Sequence, residues 1–274
     1  LGTAAEVPME DYSVIIRSVF PQGLVRRHPQ AQPGDMGLRN ALQVLADYGA
    51  LSGPVTTWPI SWDAVLHDLE KVKADDVVLP NRVLPTYERI LVRAQRETTR
   101  GKASFGFGLA VAEKPVNIRG FSNTPREEGE ITAGASWFSE RVSLELSVTG
   151  SEAPSTRVPG QDDVFFPASN DTDEVRLDGS QLGIDLGNWS VAASTLDRWW
   201  GPGWDGSLIL SNNARPIPSL SIGRNLTTAP TPKWLKWIGP WDLQVLFGQL
   251  ESERFVPDAR FFGMRFNFRP LKGL

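Results

Sequence analysis

The residues with the clearest chemical potential lie in one stretch, residues 196–224, where three of the protein's ten tryptophans fall close together. Glycine and proline interrupt Trp199, Trp200 and Trp204, so this part is neither a regular helix nor a central strand. Flat indole faces stack on the C–H faces of sugar rings, while planar polar side chains bond with the sugar hydroxyls. Polar groups of this kind flank the tryptophans: Asp197, Arg198, Asp205, Asn212, Asn213 and Arg215.

The same composition is compatible with a purely structural role. A cluster of tryptophan, glycine and proline can form a packed corner, in which Arg198 would stack on an indole ring as a cation–π pair. The stretch therefore either binds a carbohydrate or braces the fold from inside. The predicted polysaccharide-binding residues are Asp197, Arg198, Trp199, Trp200, Trp204, Asn212, Asn213 and Arg215.

The residue types that most catalytic and metal sites need are scarce. The chain has no cysteine and only two histidines, His28 and His67, each expected to be solvated or on a helix face. It contains no Gly-x-Ser-x-Gly elbow and no phosphate-binding glycine loop before a helix. The acidic cluster within residues 161–174 lacks the EF-hand spacing, and no spacing selects a glycosidase pair of carboxylates. We therefore predict a non-catalytic protein with no cofactor and no metal site.

Composition narrows the classes of partner. The 274 residues carry a net charge of −4 and give a pI near 5.4, so the chain lacks the basic footprint of a nucleic-acid-binding protein. No apolar run is long enough for a transmembrane helix, but transmembrane strands would escape such a scan because they alternate. The chain begins at Leu1 without a basic, apolar leader, which favours a mature chain after signal-peptide removal, or a fragment.

The N-terminal third of the chain is predicted to be helical. Asp35 and Ser61 are suitable N-caps, Gly49 is a suitable C-terminal stop, and Pro85 suits a first helical turn. Each segment carries one apolar stripe, which needs a partner. The predicted helices cover residues 35–50, 62–72 and 85–99. Before them, residues 1–36 form a loosely ordered lead-in with one strand over residues 14–20.

After residue 100 the pattern changes to strict alternation, which indicates strands. The apolar positions of the clearest segments are Phe105, Phe107, Leu109, Val142, Leu144, Leu146, Phe262, Met264 and Phe266. A soluble sandwich also alternates, with its apolar face inside. A membrane barrel is favoured because the polar face mixes charges with glycine and because aromatic residues cluster near strand ends. These aromatic residues are Trp137, Phe138, Trp241, Phe261 and Phe262. Residues 231–238, with two tryptophans and two lysines, suit a membrane boundary.

Two segments resemble a known family. The sequences DRWWGPGW and GSLILSNNARPIP, followed by a strand ending in SIGR, are similar to the signature of the capsule-assembly Wzi family. Residues 38–62, LRNALQVLADYGALSGPVTTWPISW, resemble the N-terminal segment of that family. Its members are outer-membrane β-barrel proteins of Gram-negative bacteria that help to hold capsular polysaccharide at the cell surface. The resemblance implies a mainly β fold, an antiparallel transmembrane β-barrel with a small N-terminal α-helical bundle that plugs its periplasmic end.

The resemblance also implies a function. We predict an outer-membrane protein that binds and anchors capsular or related exopolysaccharide, as a monomer in contact with outer-membrane lipid and without a nucleic-acid partner. The alternatives are a porin-like or export channel for sugars or polysaccharide, and a soluble periplasmic sandwich that hydrolyses polysaccharide. The predicted units are the lead-in (1–36), the bundle (37–100) and the barrel region (101–274). The last unit supplies roughly ten strands, so either part of the barrel lies outside this chain or a smaller barrel closes early.

Overall fold

Three helices form where the sequence predicts them. They are α1 (Met36–Asp47), α2 (Trp62–Ala74) and α3 (Leu84–Glu97). The Asp35 carboxylate accepts a hydrogen bond of 2.9 Å from the Leu38 amide, and Gly49 ends α1 at a φ of 75°. The computed structural model describes residues 28–75, 77–112, 119–122, 124–127, 129–152, 173–207, 209–250 and 256–270. The strand predicted over residues 14–20 lies outside these ranges.

The helices share one hydrophobic core with residues from elsewhere in the chain. Leu42, Leu45 and Leu69 are fully buried within it, and Phe121 and Trp199 enter the same core from two distant loops. Short strands accompany the helices: β1 (Gln30–Ala31), β2 (Thr57–Trp58) and β3 (Ile60–Ser61), of which β1 pairs with β3. The bundle core is therefore incomplete without the rest of the chain.

The rest of the described chain is dominated by one antiparallel sheet. Its strands are β4 (Ser104–Val111), β5 (Gly129–Phe138), β6 (Val142–Glu152), β7 (Asp173–Arg176), β8 (Gln181–Leu186), β9 (Trp189–Ser194), β11 (Ser219–Arg224), β12 (Trp241–Gln249) and β13 (Arg260–Phe268). Eight of these nine strands follow the order β13-β12-β11-β9-β8-β6-β5-β4, and the ninth, β7, pairs with the part of β6 that β8 does not reach. A separate two-residue strand, β10 (Trp199–Trp200), pairs with β2. Within the described residues β4 does not pair with β13, so the sheet is open, as expected of a partial barrel.

The apolar face of this sheet is the exposed one. Phe105 is 61% exposed and Met264 59%, whereas Glu145 and Ser147 on the opposite face are 2% and 3% exposed. All the alternating apolar positions predicted above point to the exposed side, with Val142 partly covered. This arrangement is the reverse of a soluble sandwich, whose apolar faces pack against each other, and it matches a wall that faces lipid.

Two of the aromatic residues expected near strand ends, Phe138 and Phe261, point to the inner face of the sheet and not to its exposed apolar face. Trp137 and Phe262 lie on the exposed face, but their neighbours Phe138 and Phe261 face inward because successive side chains of a strand alternate. Phe261 packs against the buried cluster of Trp200, Leu210 and Leu246. These two inward rings therefore contribute to internal packing.

The helical bundle lies against the inward, polar face of the sheet. The Arg265 guanidinium of β13 donates to the Thr56 carbonyl at 3.0 Å and to its hydroxyl at 2.8 Å. From the same segment between α1 and α2, the Ser52 hydroxyl donates to the Thr227 carbonyl at 3.4 Å. The His28 side chain is 35% exposed, and its ring also contacts the buried Glu145 carboxylate of β6, a partner that the sequence did not indicate. His67, in contrast, is a partly exposed residue of α2, as expected.

Residues 37–100 expressed alone are expected to show weak helicity by far-UV circular dichroism. The helices are short, and isolated helices of this length are marginal in water. The isolated segment also lacks Phe121 and Trp199, which fill its core in the full chain. The full chain in detergent serves as the reference, and a cooperative thermal transition of the isolated segment would contradict this expectation.

Candidate functional site

The connections between strands differ strongly at the two ends of the sheet. Long connections join strands at one end, here the long-loop end; they cover residues 112–128, 153–172, 195–218 and 250–259. At the opposite end, here the turn end, two connections are short (residues 139–141 and 187–188) and one is longer (residues 225–240). The tryptophan-rich stretch belongs to the connection 195–218, which we name the Trp loop.

The Trp loop folds back toward the bundle. Its strand β10 pairs with β2, which places Trp199 opposite Trp58. Trp199 and Trp200 are 0% and 1% exposed. The Trp199 indole donates to the Gly203 carbonyl at 3.0 Å, and its ring meets Phe121 edge-on at 5.5 Å. Both indoles are therefore covered by protein, in the position of an internal brace, whereas Trp204 is partly exposed.

A cation from α1 holds the turn of the Trp loop. The Arg39 guanidinium lies 4.3 Å from the Phe121 ring centroid and 4.4 Å from that of Trp204. It also donates to the Pro202 and Gly203 carbonyls at 2.8 and 2.9 Å. Arg39 is only 4% exposed, so both interactions occur away from water, where a cation–π contact is strongest.

Arg39 is therefore the cation that lies on these aromatic rings. The prediction that Arg198 stacks on an indole ring is wrong. Arg198 instead donates to the Ser194 hydroxyl of β9 at 3.1 Å. Burial lowers the pKa of its guanidinium to about 10. Arg198 lines a separate small cavity of about 90 Å³ between the bundle and the inner face of β9, β11 and β12.

A second connection, residues 119–127, is bonded to the Trp loop. The Phe121 amide donates to the Trp204 carbonyl at 2.8 Å, and the Arg119 amide donates to the Asn213 side-chain oxygen at 3.1 Å. The Asn212 side chain donates to the Phe121 carbonyl at 3.1 Å, and its own carbonyl accepts from the Arg119 guanidinium at 3.1 Å. Burial lowers the pKa of Arg119 to about 10. The two connections therefore form one hydrogen-bonded unit.

Two ion pairs close the same interface. Arg126 donates to the Asp197 carboxylate at 2.8 Å, and Arg215 donates to the Glu127 carboxylate at 2.8 Å. Burial raises the pKa of the Asp197 carboxyl, and the nearby Arg126 and Arg119 guanidinium groups oppose that shift. Each side chain in these pairs is 28% exposed or less, so the pairs are largely shielded from water.

The paired side chains line a cavity on the inner side of the sheet. Its volume is about 440 Å³, within the range of small-ligand sites. One wall is formed by the inward residues Gly106, Gly108, Thr132, Ser147 and Thr149 of β4, β5 and β6. Glu130 of β5 also lies on this wall, and the other wall carries Arg119, Arg126, Glu127, Asp197 and Arg215. Guanidinium donors alternate here with carboxylate and hydroxyl acceptors, which is the chemistry that binds sugar hydroxyls and acidic substituents.

Comparison with known proteins now identifies the family. Residues 108–274 match the sequence model described as capsule assembly protein Wzi. The chain belongs to the Wzi family. A 55.8 kDa uncharacterized protein in the cps region of Klebsiella pneumoniae is 28% identical over 248 residues, which cover 88% of this chain and 44% of that protein. The resemblance predicted from the sequence is confirmed.

A solved structure shows the same fold. It is Wzi of Escherichia coli, described as an outer membrane protein involved in group 1 capsule assembly and as a carbohydrate-binding β-barrel. The TM-score is 0.68 at 24% identity, and the match covers 89% of this chain and 51% of that chain. The chain spans about half the length of the relatives it matches. The predicted antiparallel barrel fold with N-terminal helices is confirmed, with the sheet open.

Within this Wzi-family fold, the predicted site residues divide into groups. Asp197 and Arg215 line the cavity, Asn213 is exposed beside it, and Trp204 is partly exposed. Four others are held in the interior: Arg198, Trp199, Trp200 and Asn212. Five further residues of the site carry no signal of their role in the sequence: Arg39, Arg119, Phe121, Arg126 and Glu127. Their partners are far away in sequence: Arg126 and Asp197, for example, are 71 positions apart, so no local pattern marks these residues.

The acidic cluster at residues 161–174 lies almost wholly outside the described residues, so its calcium-binding potential stays untested. Among the ranges that the structure describes, no group of three or more His, Cys, Asp or Glu side chains is placed to hold a metal ion. In those same ranges no helix has the length and apolar character needed to cross a membrane.

Proposed function

We propose that this Wzi-family protein binds and anchors capsular or related exopolysaccharide at the outer membrane, without catalysing a reaction. The observation that carries this proposal is the polar cavity between the inner face of β4, β5 and β6 and the unit formed by the Trp loop and residues 119–127, at the long-loop end of the sheet. The description of Escherichia coli Wzi as a carbohydrate-binding β-barrel involved in capsule assembly supports it.

The orientation of the sheet supports a binding site at the cell surface. In outer-membrane barrels the long loops are extracellular and the short turns are periplasmic. The cavity and both ion pairs belong to the long-loop end, so they face the capsule in this proposal. The exposed apolar face of the sheet, with residues such as Phe105 and Met264, then contacts lipid.

The side chains have two roles in this proposal. Asp197 and Arg215, together with Arg126 and Glu127, present charged and hydrogen-bonding groups to the polymer, and Asn213 extends this surface. The second group keeps the surface rigid: Arg39, Arg198, Trp199, Trp200 and Asn212. Trp204 has both roles, since Arg39 covers one part of the ring and another part is exposed.

The bundle and the Trp loop occupy the concave side of the sheet, which supports anchoring over transport through the barrel. Trp58, Trp199 and Phe121 pack against each other there without exposure to solvent. A conducting channel would need an open polar path along this side. Absence of conductance in planar bilayers is the outcome that fits the proposal.

The proposal is tested by replacing Arg215 with glutamine. The change removes a guanidinium from the cavity wall, so retention of polysaccharide on the cell surface is expected to fall several-fold, because a charge-assisted hydrogen bond is lost. The folded amount, measured by heat-modifiable electrophoretic mobility, is expected to stay unchanged. Retention is measured per folded molecule, by polymer binding to cells that express each variant.

Two further variants separate direct contact from bracing. Arg260→Gln is the matched control, because Arg260 is an exposed arginine at the same end of the sheet and does not line this cavity. Glu127→Gln breaks the same ion pair while keeping Arg215. If Glu127→Gln lowers retention as much as Arg215→Gln, retention depends on the Arg215–Glu127 pair as a unit and not on Arg215 alone. If Arg215→Gln retains polymer as well as Arg260→Gln, the proposed site is wrong.

A further inference from the structure

The turn end carries an exposed aromatic and basic element that the polysaccharide site does not use. It is a 3₁₀ helix, Lys233–Ile238, within the connection from β11 to β12, and none of its residues is buried. Trp234 and Trp237 are 74% and 66% exposed, and both lysines are exposed. Two fully presented indoles are unfavourable in water, since each offers a large apolar surface.

The helix geometry sorts these side chains into two faces. In a 3₁₀ helix, residues three apart lie on the same side. Trp234 and Trp237 therefore share one face, and Lys233 and Lys236 share the adjacent face. The whole connection, residues 225–240, contains no aspartate or glutamate. The element thus presents an apolar aromatic face beside a positively charged face.

The element is fixed in place by the end of β13. Gly239 has a φ of 69°, and a Cβ there would lie 2.0 Å from the Arg269 carbonyl oxygen, so only glycine permits this approach. The Arg269 amide donates to the Pro240 carbonyl at 3.0 Å. The helix is thereby held beside the aromatic end of the lipid-facing wall, where Trp241 contacts Phe266 at 5.8 Å and Trp189 at 6.2 Å.

We propose that residues 233–238 bind anionic phospholipid at the bilayer surface of the turn end. Trp234 and Trp237 lie among the headgroups and upper acyl chains, and Lys233 and Lys236 bind lipid phosphates. The element continues the apolar outer face of the sheet, which fixes its height at the membrane boundary. Each lysine near an anionic surface strengthens binding by about fivefold, and the effect weakens with salt.

The test uses the full chain in vesicles of phosphatidylcholine to which brominated lipid is added. Brominated phosphatidylglycerol and brominated phosphatidylcholine are compared as quenchers of tryptophan fluorescence. The fluorescence of Trp234 and Trp237 is obtained by subtracting the fluorescence of the Trp234→Phe/Trp237→Phe variant from that of the parent protein. In the parent, brominated phosphatidylglycerol is expected to quench the fluorescence of Trp234 and Trp237 at a lower mole fraction than brominated phosphatidylcholine.

The variant Lys233→Gln/Lys236→Gln is expected to lose this preference, by up to about 25-fold at low salt. The matched control is Arg89→Gln/Arg260→Gln, which removes two exposed positive charges, one on α3 and one at the long-loop end, and is expected to keep the preference. A comparison of sodium phosphate with sodium chloride at equal ionic strength distinguishes a free-phosphate site from a lipid site. If phosphate reduces quenching by brominated phosphatidylglycerol more than chloride does, the lysines form an ion site, and lipid binding is overturned.

Either of two other results also overturns the inference. One is that the two indoles are not quenched by either brominated lipid. The other is that the Lys233→Gln/Lys236→Gln variant keeps the full preference for phosphatidylglycerol. The inference is independent of the polysaccharide proposal, because it concerns residues at the opposite end of the sheet, so each assay can fail alone.

Discussion

Replacement of Trp200 by alanine is expected to lower the free energy of unfolding by about 3–5 kcal/mol. The indole is 1% exposed and packs among Leu210, Leu246 and Phe261, so the change leaves a large cavity where the Trp loop meets β12 and β13. The measurement is equilibrium unfolding by urea in detergent micelles. Surface retention of polysaccharide is expected to fall only in proportion to the loss of folded protein.

Trp200→Phe is the matched control for this prediction. The Trp200 indole nitrogen is buried without a hydrogen-bond partner among the described residues. Phenylalanine keeps most of the ring volume and removes that donor, so the expected cost is below about 1.5 kcal/mol. A Trp200→Ala protein that is as stable as its parent but binds less polymer would instead make Trp200 a contact residue.

The local elements of this fold can be predicted from sequence because each has a short-range cause. Asp35 and Ser61 accept hydrogen bonds from the first turns of α1 and α2, as their positions before apolar stripes predict. The alternation through Leu144 and Leu146 fixes which face of β6 is apolar. That face could be assigned to lipid only through the family resemblance, since alternation is the same in a soluble sandwich.

The candidate site could be predicted only in part, because its chemistry depends on contacts between distant segments. The composition of the Trp loop indicates stacking rings, but the pairing of β10 with β2 buries Trp199 and Trp200. Arg39 lies on a helix that reads as an ordinary amphipathic segment, yet its guanidinium bonds to carbonyl groups more than 160 residues away. Neither pairing leaves a periodic or local trace in the sequence.

The arrangement links the two ends of the sheet through the bundle. At the long-loop end, Arg39 of α1 holds the turn of the Trp loop, which in turn carries Asp197 and Arg215. Near the turn end, Ser52 of the segment between α1 and α2 bonds to the Asp68 carboxylate and to the Thr227 carbonyl. The bundle therefore connects the proposed polymer surface with the connection that carries the proposed lipid-binding element.

Replacement of Leu146 by arginine is expected to destabilise the folded protein in membranes by about 2–4 kcal/mol. Leu146 lies near the middle of β6 and is 50% exposed on the apolar face, so a charge there would be placed in the hydrocarbon layer. The measurement is the urea midpoint in lipid vesicles, followed by heat-modifiable mobility.

The matched control is Val92→Arg, because Val92 is an apolar residue of α3 that is 65% exposed. Val92 lies on α3 and not on the apolar face of the sheet, so this control is expected to change stability by no more than about 0.5 kcal/mol. Equal small effects of the two substitutions would show that the apolar face of the sheet does not lie in lipid.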